Sequence, residues 1–410
     1  MSFQQGLSGL NVAAKNLAAI GNNVANASTV GFKSARSEFS DVYANSLAGG
    51  AGVQVGIGAS IAAVRQQFTQ GNIVTTSNPL DVAINGNGFF RLSTNGIASY
   101  ARNGQFSLDR DGYVVTNSGA RLTGYQADAL GNIVASTPSD LRISLANISP
   151  QATADARVGL NLDSREAVPA AAFALNDPSS YNSSTAMTVY DSQGNSHTLT
   201  LYFRKTAANT WAVYGAGNGA QLAGAGGAGT PLGTLNFGSN GLLPANATMN
   251  VSIPLANGAS TPLAFPVTFP LSEMTQFGVN FAVSKLSQDG FTTGRVAGFS
   301  IGEDGVILGR YTNGQTRAQG QIVLANFINA QGLAALGNNQ WAETSESGQP
   351  LVSSPGSGSL GVLQAGALEE ANVDLTEELV DMITAQRVYQ ANAQTIRTQD
   401  QVLQTIVNLR

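Results

Sequence analysis

Residues able to support covalent or metal chemistry are few in this chain. It has no cysteine and a single histidine, His197, which together exclude disulfides, thiol nucleophiles, Cys/His zinc sites and paired-histidine ligation. His197 stands in the strand-like run HTLTLYF, where a lone imidazole is expected to be structural. Asp109, Asp111 and Gly112 open like a calcium loop, but the bidentate Glu that must follow is missing, so a turn between strands is expected. Gly224, Gly226 and Gly229 match G-x-G-x-x-G; Thr230 and Pro231 stand where a helix would have to begin, and no apolar strand leads in. A dinucleotide site is therefore not expected. The sequence contains no nucleophile elbow, Walker, kinase or metalloprotease-helix motif. Scattered carboxylates could in principle form a glycosidase pair, yet nothing in their spacing brings two together. The expectation is a chain without catalytic residues, bound metal or cofactor.

Composition narrows the class further. At 410 residues the chain should divide into two or three domains, each with its own core. Glycine reaches 47 residues and charged residues only 11%, against about 7% and about 25% in an average domain. That mix suits short strands, tight turns and wide uncharged surfaces. With a net charge of −5 and no long basic run, neither nucleic acid nor a lipid surface is an expected partner. No stretch approaches the ~20 apolar residues of a membrane span. The opening MSFQQGLSGLNVAAKNLAAIGNNVANAS has no basic n-region and no unbroken apolar run, so no cleaved secretory signal is expected.

The two ends carry the strongest periodicity. Phe3, Leu7, Leu10, Ala14, Leu17, Gly21 and Val24 alternate by four and three, the seam of a helix. Ser2 and Gln5 stand where a capping box would start it, and its end is expected near Asn26 to Ser28. Leu375, Leu379, Met382, Gln386, Tyr389, Ala393, Ile396, Asp400, Leu403 and Val407 repeat the alternation, with Asp374 and Glu377 placed to cap the start. The two helices are expected to pair in a coiled-coil-like manner, and to do more than that. Each large apolar residue of the first seam is worth at most about 1.5–3 kcal/mol when buried, whereas ordering a residue's backbone costs roughly 1–2 kcal/mol. Neighbouring copies are expected to supply the missing burial. Away from its seam the second helix is polar but nearly uncharged, with Gln390, Asn392, Gln394, Thr395, Gln399, Gln401 and Gln404. Such a face suits packing among copies or the lining of a pore.

Between the helices, alternating runs such as FFRLS, AFPVTF and GVILGRY are separated by Asn-Gly, Asp-Gly and Gln-Gly-Asn turn signals. The stretch GAGNGAQLAGAGGAGTPLG reads as a flexible surface loop. GQFSLDRDGYVV, Gly104 to Val115, lines up with AGFSIGEDGVIL, Ala297 to Leu308, which suggests one β domain built from both halves of the chain with another inserted. The expected fold class is mainly β with terminal α-helices in a discontinuous multidomain chain. The expected division is a helical domain over 1–30 and 370–410, connecting segments over 31–70 and 359–369, a shared β domain over 71–148 and 279–358, and an inserted β domain over 149–278. These features alone leave open an oligomeric surface adhesin.

NNVANASTVGFKSARSEFSDVYANS, Asn22 to Ser46, closely resembles the signature that follows the first helix in bacterial flagellar rod and hook proteins, at Asn22, Asn23, Asn26, Thr29, Gly31, Phe32 and Lys33. NVDLTEELVDMITAQRVYQANAQTIRTQDQVLQTIVNL resembles that family's closing helix. QGNIVTTSNPLDVAINGNGFFRL and YARNGQFSLDRDGYVVTNSGARLTGYQ resemble its shared β domain. The short segment between Tyr43 and Gln70 and the extra central β domain resemble the hook members more than the distal rod members. The resemblance implies an extracellular structural subunit of the flagellum that polymerises with itself into a curved tube transmitting torque. It also implies partners among the rod, hook cap and hook-filament junction proteins, and delivery of the unfolded chain by the type III export apparatus.

Overall fold

The computed structural model describes residues 2–42, 56, 58–128, 130–224, 226–227 and 229–408, and the side chains from residue 3 to residue 405 among them. Tyr43–Ser46 of the quoted signature and the side chains of Ser2 and Val407 fall outside that set. The chain forms two compact units, one of Met1–Leu145, Gly298–Arg310 and Thr316–Arg410, the other of Ala146–Ala297 and Tyr311–Gln315.

In the first unit, helix α1 spans Ser2–Ala25 and helix α2 spans Leu375–Asn408, as the four-three spacing requires. Asp374 caps α2, its Oδ1 accepting from Thr376 N at 2.8 Å and Glu377 N at 3.3 Å. At the start of α1 the capping-box reading is corrected: Gln5 turns away from the helix end and donates its Nε2 to Gly56 O at 2.7 Å. An antiparallel hairpin of β1 (Ala35–Val42) and β2 (Gly58–Gln66) follows α1 and lies beside it, with Ala59 N donating to Ser8 Oγ.

The β part of this unit interleaves strands from both halves of the chain. Strand Arg121–Gln126 pairs antiparallel with Phe89–Thr94 on one side and with Thr316–Ile322 on the other. Ile97–Ala101 returns beside Phe89–Thr94 through Asn95 and Gly96, both at positive φ (51° and 86°). That is the left-handed geometry an Asn-Gly hairpin turn demands. Gln340–Ala342 then adds to Ile97–Ala101. Phe90, Leu92, Leu122, Ile307, Ile322 and Leu324 meet in one buried core. Both copies of the sequence repeat turn at an Asp-Gly pair, with Gly112 at φ 85° and Gly305 at φ 81°. Asp109 Oδ1 accepts from the backbone N of Asp111 and Tyr113, so these residues build the turn expected of them.

The second unit holds two sheets whose inward residues, Trp211, Phe203, Leu235, Val251 and Phe269 among them, form one core. Strand Ala282–Gln288 lies beyond residue 278, the expected end of the inserted domain, yet belongs to this unit because it pairs antiparallel with Ala156–Asn161 at its beginning. The flexible-loop reading of the glycine-rich stretch is corrected at Gly215–Gly217, Leu222 and Leu232, while Gly219–Gln221 are exposed as a surface loop requires. Gly215–Gly217 end the buried strand Thr210–Gly217, and Leu222 and Leu232 enter the core. A Cβ at Gly215 would lie 2.7 Å from Leu232 Cδ1 and one at Gly217 2.8 Å from Ile253 Cγ2. Glycine serves close packing there, a use that composition does not distinguish from flexibility. His197 is structural in the expected sense: its Nε2 lies 3.0 Å from Asp191 Oδ2 and its Nδ1 2.9 Å from Asn218 Nδ2.

Candidate functional site

The signature that carries the resemblance folds into a junction joining α1, the β1–β2 hairpin, the β domain and the chain leading into α2. Asn26 ends α1 locally, donating its Nδ2 to Asn22 O at 2.9 Å and to Asn22 Oδ1 at 3.2 Å while its Oδ1 accepts from Thr29 Oγ1 at 3.3 Å. Asn23 is buried and satisfies three elements with one amide. Its Nδ2 donates to Ala35 O and to Glu378 Oε1, and its Oδ1 accepts from Ala35 N, all at 2.8–2.9 Å. The end of α1, the start of β1 and the first turns of α2 are thereby fixed together.

Gly31 has φ +69°, and a Cβ there would stand 2.5 Å from Asn103 N; only glycine permits both the left-handed backbone and that approach. Its N donates to Glu369 O at 2.8 Å. The chain then buries Phe32 and Lys33. Lys33 Nζ reaches Glu369 Oε1 at 2.6 Å and Thr69 O at 2.7 Å. Glu369 Oε2 is 3.1 Å from Arg102 Nη1, and its Oε1 also accepts from Gly71 N at 2.9 Å. Arg102 Nη2 donates to Gly86 O at 2.9 Å, and its guanidinium lies 5.5 Å from the Phe89 ring centroid. All three ionic side chains are buried, so one carboxylate compensates two cations away from water. Burial pushes the Lys33 ammonium below its ordinary value, against the pull of Glu369, and the positive charge of Arg102 pushes the same way as burial. Burial likewise lowers the Arg102 guanidinium, with Glu369 opposing. Asn372 completes the junction by accepting from Ser34 N and donating to Gln67 O, both at 2.7 Å.

Glu369 reaches this position because Val362–Ala365 pairs with Val82–Asn85 and Ala367–Glu369 pairs with Ile73–Thr75. Arg102, Glu369 and Asn372 were not among the residues singled out from the sequence. Nothing local marks them, since each acquires its role from a partner more than 250 residues away.

On α1 the contact between the helices runs along a line other than the large-residue seam. Gly6, Ala13, Ile20 and Asn23 are the buried positions of α1. Each precedes a seam residue by one, a rotation of about 100° around the helix. A Cβ at Gly6 would lie 3.0 Å from Ile396 Cγ1, and one at Gly9 2.8 Å from Asn392 Oδ1, so small residues let the helices approach. The signal was present in the sequence as small residues at positions 6, 9 and 13. Of the seam residues, Phe3 and Leu7 are each 45% exposed, Ala14 is exposed, and Leu10, Leu17 and Val24 are half-buried. On α2, Leu375, Leu379, Tyr389 and Leu403 are exposed, while Met382 and Ile396 are half-buried. No helix among the described residues is long and apolar enough to cross a membrane.

The first unit is a discontinuous β unit closed by its own C-terminal strands and carrying a pair of terminal helices. Four family descriptions match in chain order: flagella basal body rod protein at residues 3–33, flagellar hook protein FlgE/F/G D1 domain at 83–157, flagellar basal body protein FlaE D2 domain at 161–291, and flagellar basal body rod FlgEFG protein C-terminal at 364–409. The chain is 45% identical to the flagellar hook protein FlgE of Salmonella typhimurium and 43% identical to that of Escherichia coli, covering 100% of itself and of each relative. The crystal structure of Helicobacter pylori flagellar hook protein FlgE2 shares the fold at a TM-score of 0.53 and 14% identity, covering 72% of this chain and 100% of that one. The chain belongs to the flagellar hook protein family, and its role is that of a structural subunit of the hook.

Proposed function

We propose that this protein acts without catalysis, as a building block whose copies join through α1 and α2 into the tube of the hook. The supporting observation is the exposed line of large apolar side chains. Phe3 and Leu7 on α1, with Leu375, Leu379 and Ile383 on α2, are exposed in the single chain, and the internal contact of the helix pair uses other residues. Large apolar side chains exposed on both helices suit burial at an interface, and seams on further copies would cover them. The Gln-rich face of α2 then lines the channel, with α1 packed outside it. The rod, hook cap and hook-filament junction proteins are the neighbours along the axis, and the type III export apparatus delivers the chain to the cell exterior.

The test is electron microscopy of the purified chain, concentrated in a salt that strengthens apolar burial, beside Leu379→Asp. Leu379 is 49% exposed in the single chain, so the variant should fold normally. In the tube an unpaired buried charge costs several kcal/mol at every contact, so tubes should form from the parent and not from the variant. Normal tubes from Leu379→Asp would remove α2 from the contact.

A further inference from the structure

The first two turns of α2 and its cap carry four acids, Asp374, Glu377, Glu378 and Asp381, at the i, i+3, i+4, i+7 spacing that puts them on one helix face. They border a groove between α1, β1 and α2 that Ser37 and Arg36 also line. No lysine or arginine among the described residues forms an ion pair with any of the four. Asn23 satisfies one oxygen of Glu378. Burial pushes the Glu378 carboxyl up, Asn23 opposes that, and the charges of Asp381 and Glu377 add to it. Ser37 adds an unsatisfied polar group beside the acids. It is 7% exposed, and its buried Oγ has no hydrogen-bond partner.

Arg36 lines the groove without an ion pair to any of the four acids, and the further complementary charge lies on the same helix as the acids but out of reach. Arg387 and Arg397 are exposed and without an ion pair among the described residues. At 3.6 residues per turn both point away from the acidic face, and their midpoint is about 22 Å further along the axis. A straight helix cannot bring these two regions together. A second copy displaced along the axis can. The apolar seams repeat every seven residues and are satisfied equally well after a slip of one heptad; polar groups on helices commonly decide such a register.

Resting on the proposed tube, we infer that the acidic groove of one copy receives the Arg387–Arg397 face of a neighbouring copy shifted about 22 Å along the helix axis, and that this contact sets the axial register of assembly. A guanidinium suits the groove because its planar donors engage paired carboxylates.

The test uses the full-length chain and the concentration at which tubes appear. Glu377→Arg with Asp381→Arg reverses the groove while sparing Asp374, which caps α2, and Glu378, which holds Asn23. Arg387→Glu with Arg397→Glu reverses the other face. Each double variant should raise the assembly concentration at least about tenfold, since like charges then meet. The fourfold variant, with complementary signs restored, should return to within about threefold of the parent. A fourfold variant no better than the worse double overturns the inference. So does a parent whose assembly is abolished by EDTA at constant ionic strength, because the groove then holds a divalent cation. A parent that forms no tubes under any condition sinks the polymer reading itself, a result distinct from either.

Discussion

Replacing Glu369 with Gln would leave Lys33 and Arg102 buried around a neutral amide. Both cations are buried and at hydrogen-bond distance from the carboxylate, at 2.6 Å and 3.1 Å. Removing one partner from a buried ion pair costs about 3–5 kcal/mol, and a domain is stable by only about 5–15 kcal/mol. The first unit should therefore lose about a fifth of its stability or more. With a urea dependence of about 3 kcal/mol per molar, its midpoint falls by about 1 M or more. The two tryptophans allow the units to be followed separately, because Trp341 packs with Phe68 and Phe89 in the first and Trp211 lies in the core of the second. In a Trp211→Phe background, Trp341 fluorescence reports the first unit alone. Because burial holds Lys33 below its ordinary pKa, the unfolded chain binds a proton that the folded chain does not in the window between the two values. Stability rises with pH across that window. Loss of Glu369 lowers the Lys33 value further and opens the window at lower pH, so the deficit of Glu369→Gln should shrink as pH is raised towards 10. A Trp341 midpoint within about 0.3 M of the parent, or a deficit that grows with pH, would refute the assignment of Glu369 as the counter-charge of a buried cation pair.

Three further outcomes can be measured on the same chain. Gly31→Ala should destabilise the first unit by about 2 kcal/mol or more, read from Trp341, because alanine is strained at φ +69° and its Cβ meets Asn103 N. Gly9→Val should speed amide exchange in α2 around Asn392 even though valine is a better helix former than glycine by a few tenths of a kcal/mol; slower exchange would mean that propensity outweighs the close approach. Burial alone would raise the Asp191 carboxyl, but hydrogen bonds from His197, Asn257 and Asn195 outweigh it and hold the group well below the usual carboxylate range. Its contribution is present above a pH of about 4 and is lost as pH falls below it. Asp191→Asn should cost the second unit about 2 kcal/mol at neutral pH and flatten its acid-unfolding slope, followed by Trp211 fluorescence.

Much of the architecture was legible before any coordinates. Helical periodicity located α1 and α2 almost to the residue, since a four-three apolar alternation has few other meanings. Asn95-Gly96, Asp111-Gly112 and Asp304-Gly305 marked their turns because positive φ is costly for most other residues. The repeat around them announced a β domain built from both halves of the chain. The glycines of 215–217 misled because the same residue serves loose loops and tight packing. What surrounds a glycine, here Leu232 and Ile253, is not written beside it.

The face by which α1 meets α2 was another matter. Periodicity reports which positions share a stripe, and α1 carries two stripes about 100° apart, one of large residues and one of small. Size favoured the large one as the seam, but closeness of approach gave the internal contact to Gly6, Gly9 and Ala13. The sequence alone determined the elements, the absence of thiol chemistry and the membership in an axial family, because these depend on local spacing and residue type. Only the tertiary structure decided that Lys33, Arg102 and Glu369 form one buried cluster and that Phe3, Leu7, Leu375 and Leu379 are left exposed. Charges hundreds of residues apart become partners only when strand pairing carries them to one place, and a helix face is buried only when another element arrives to cover it.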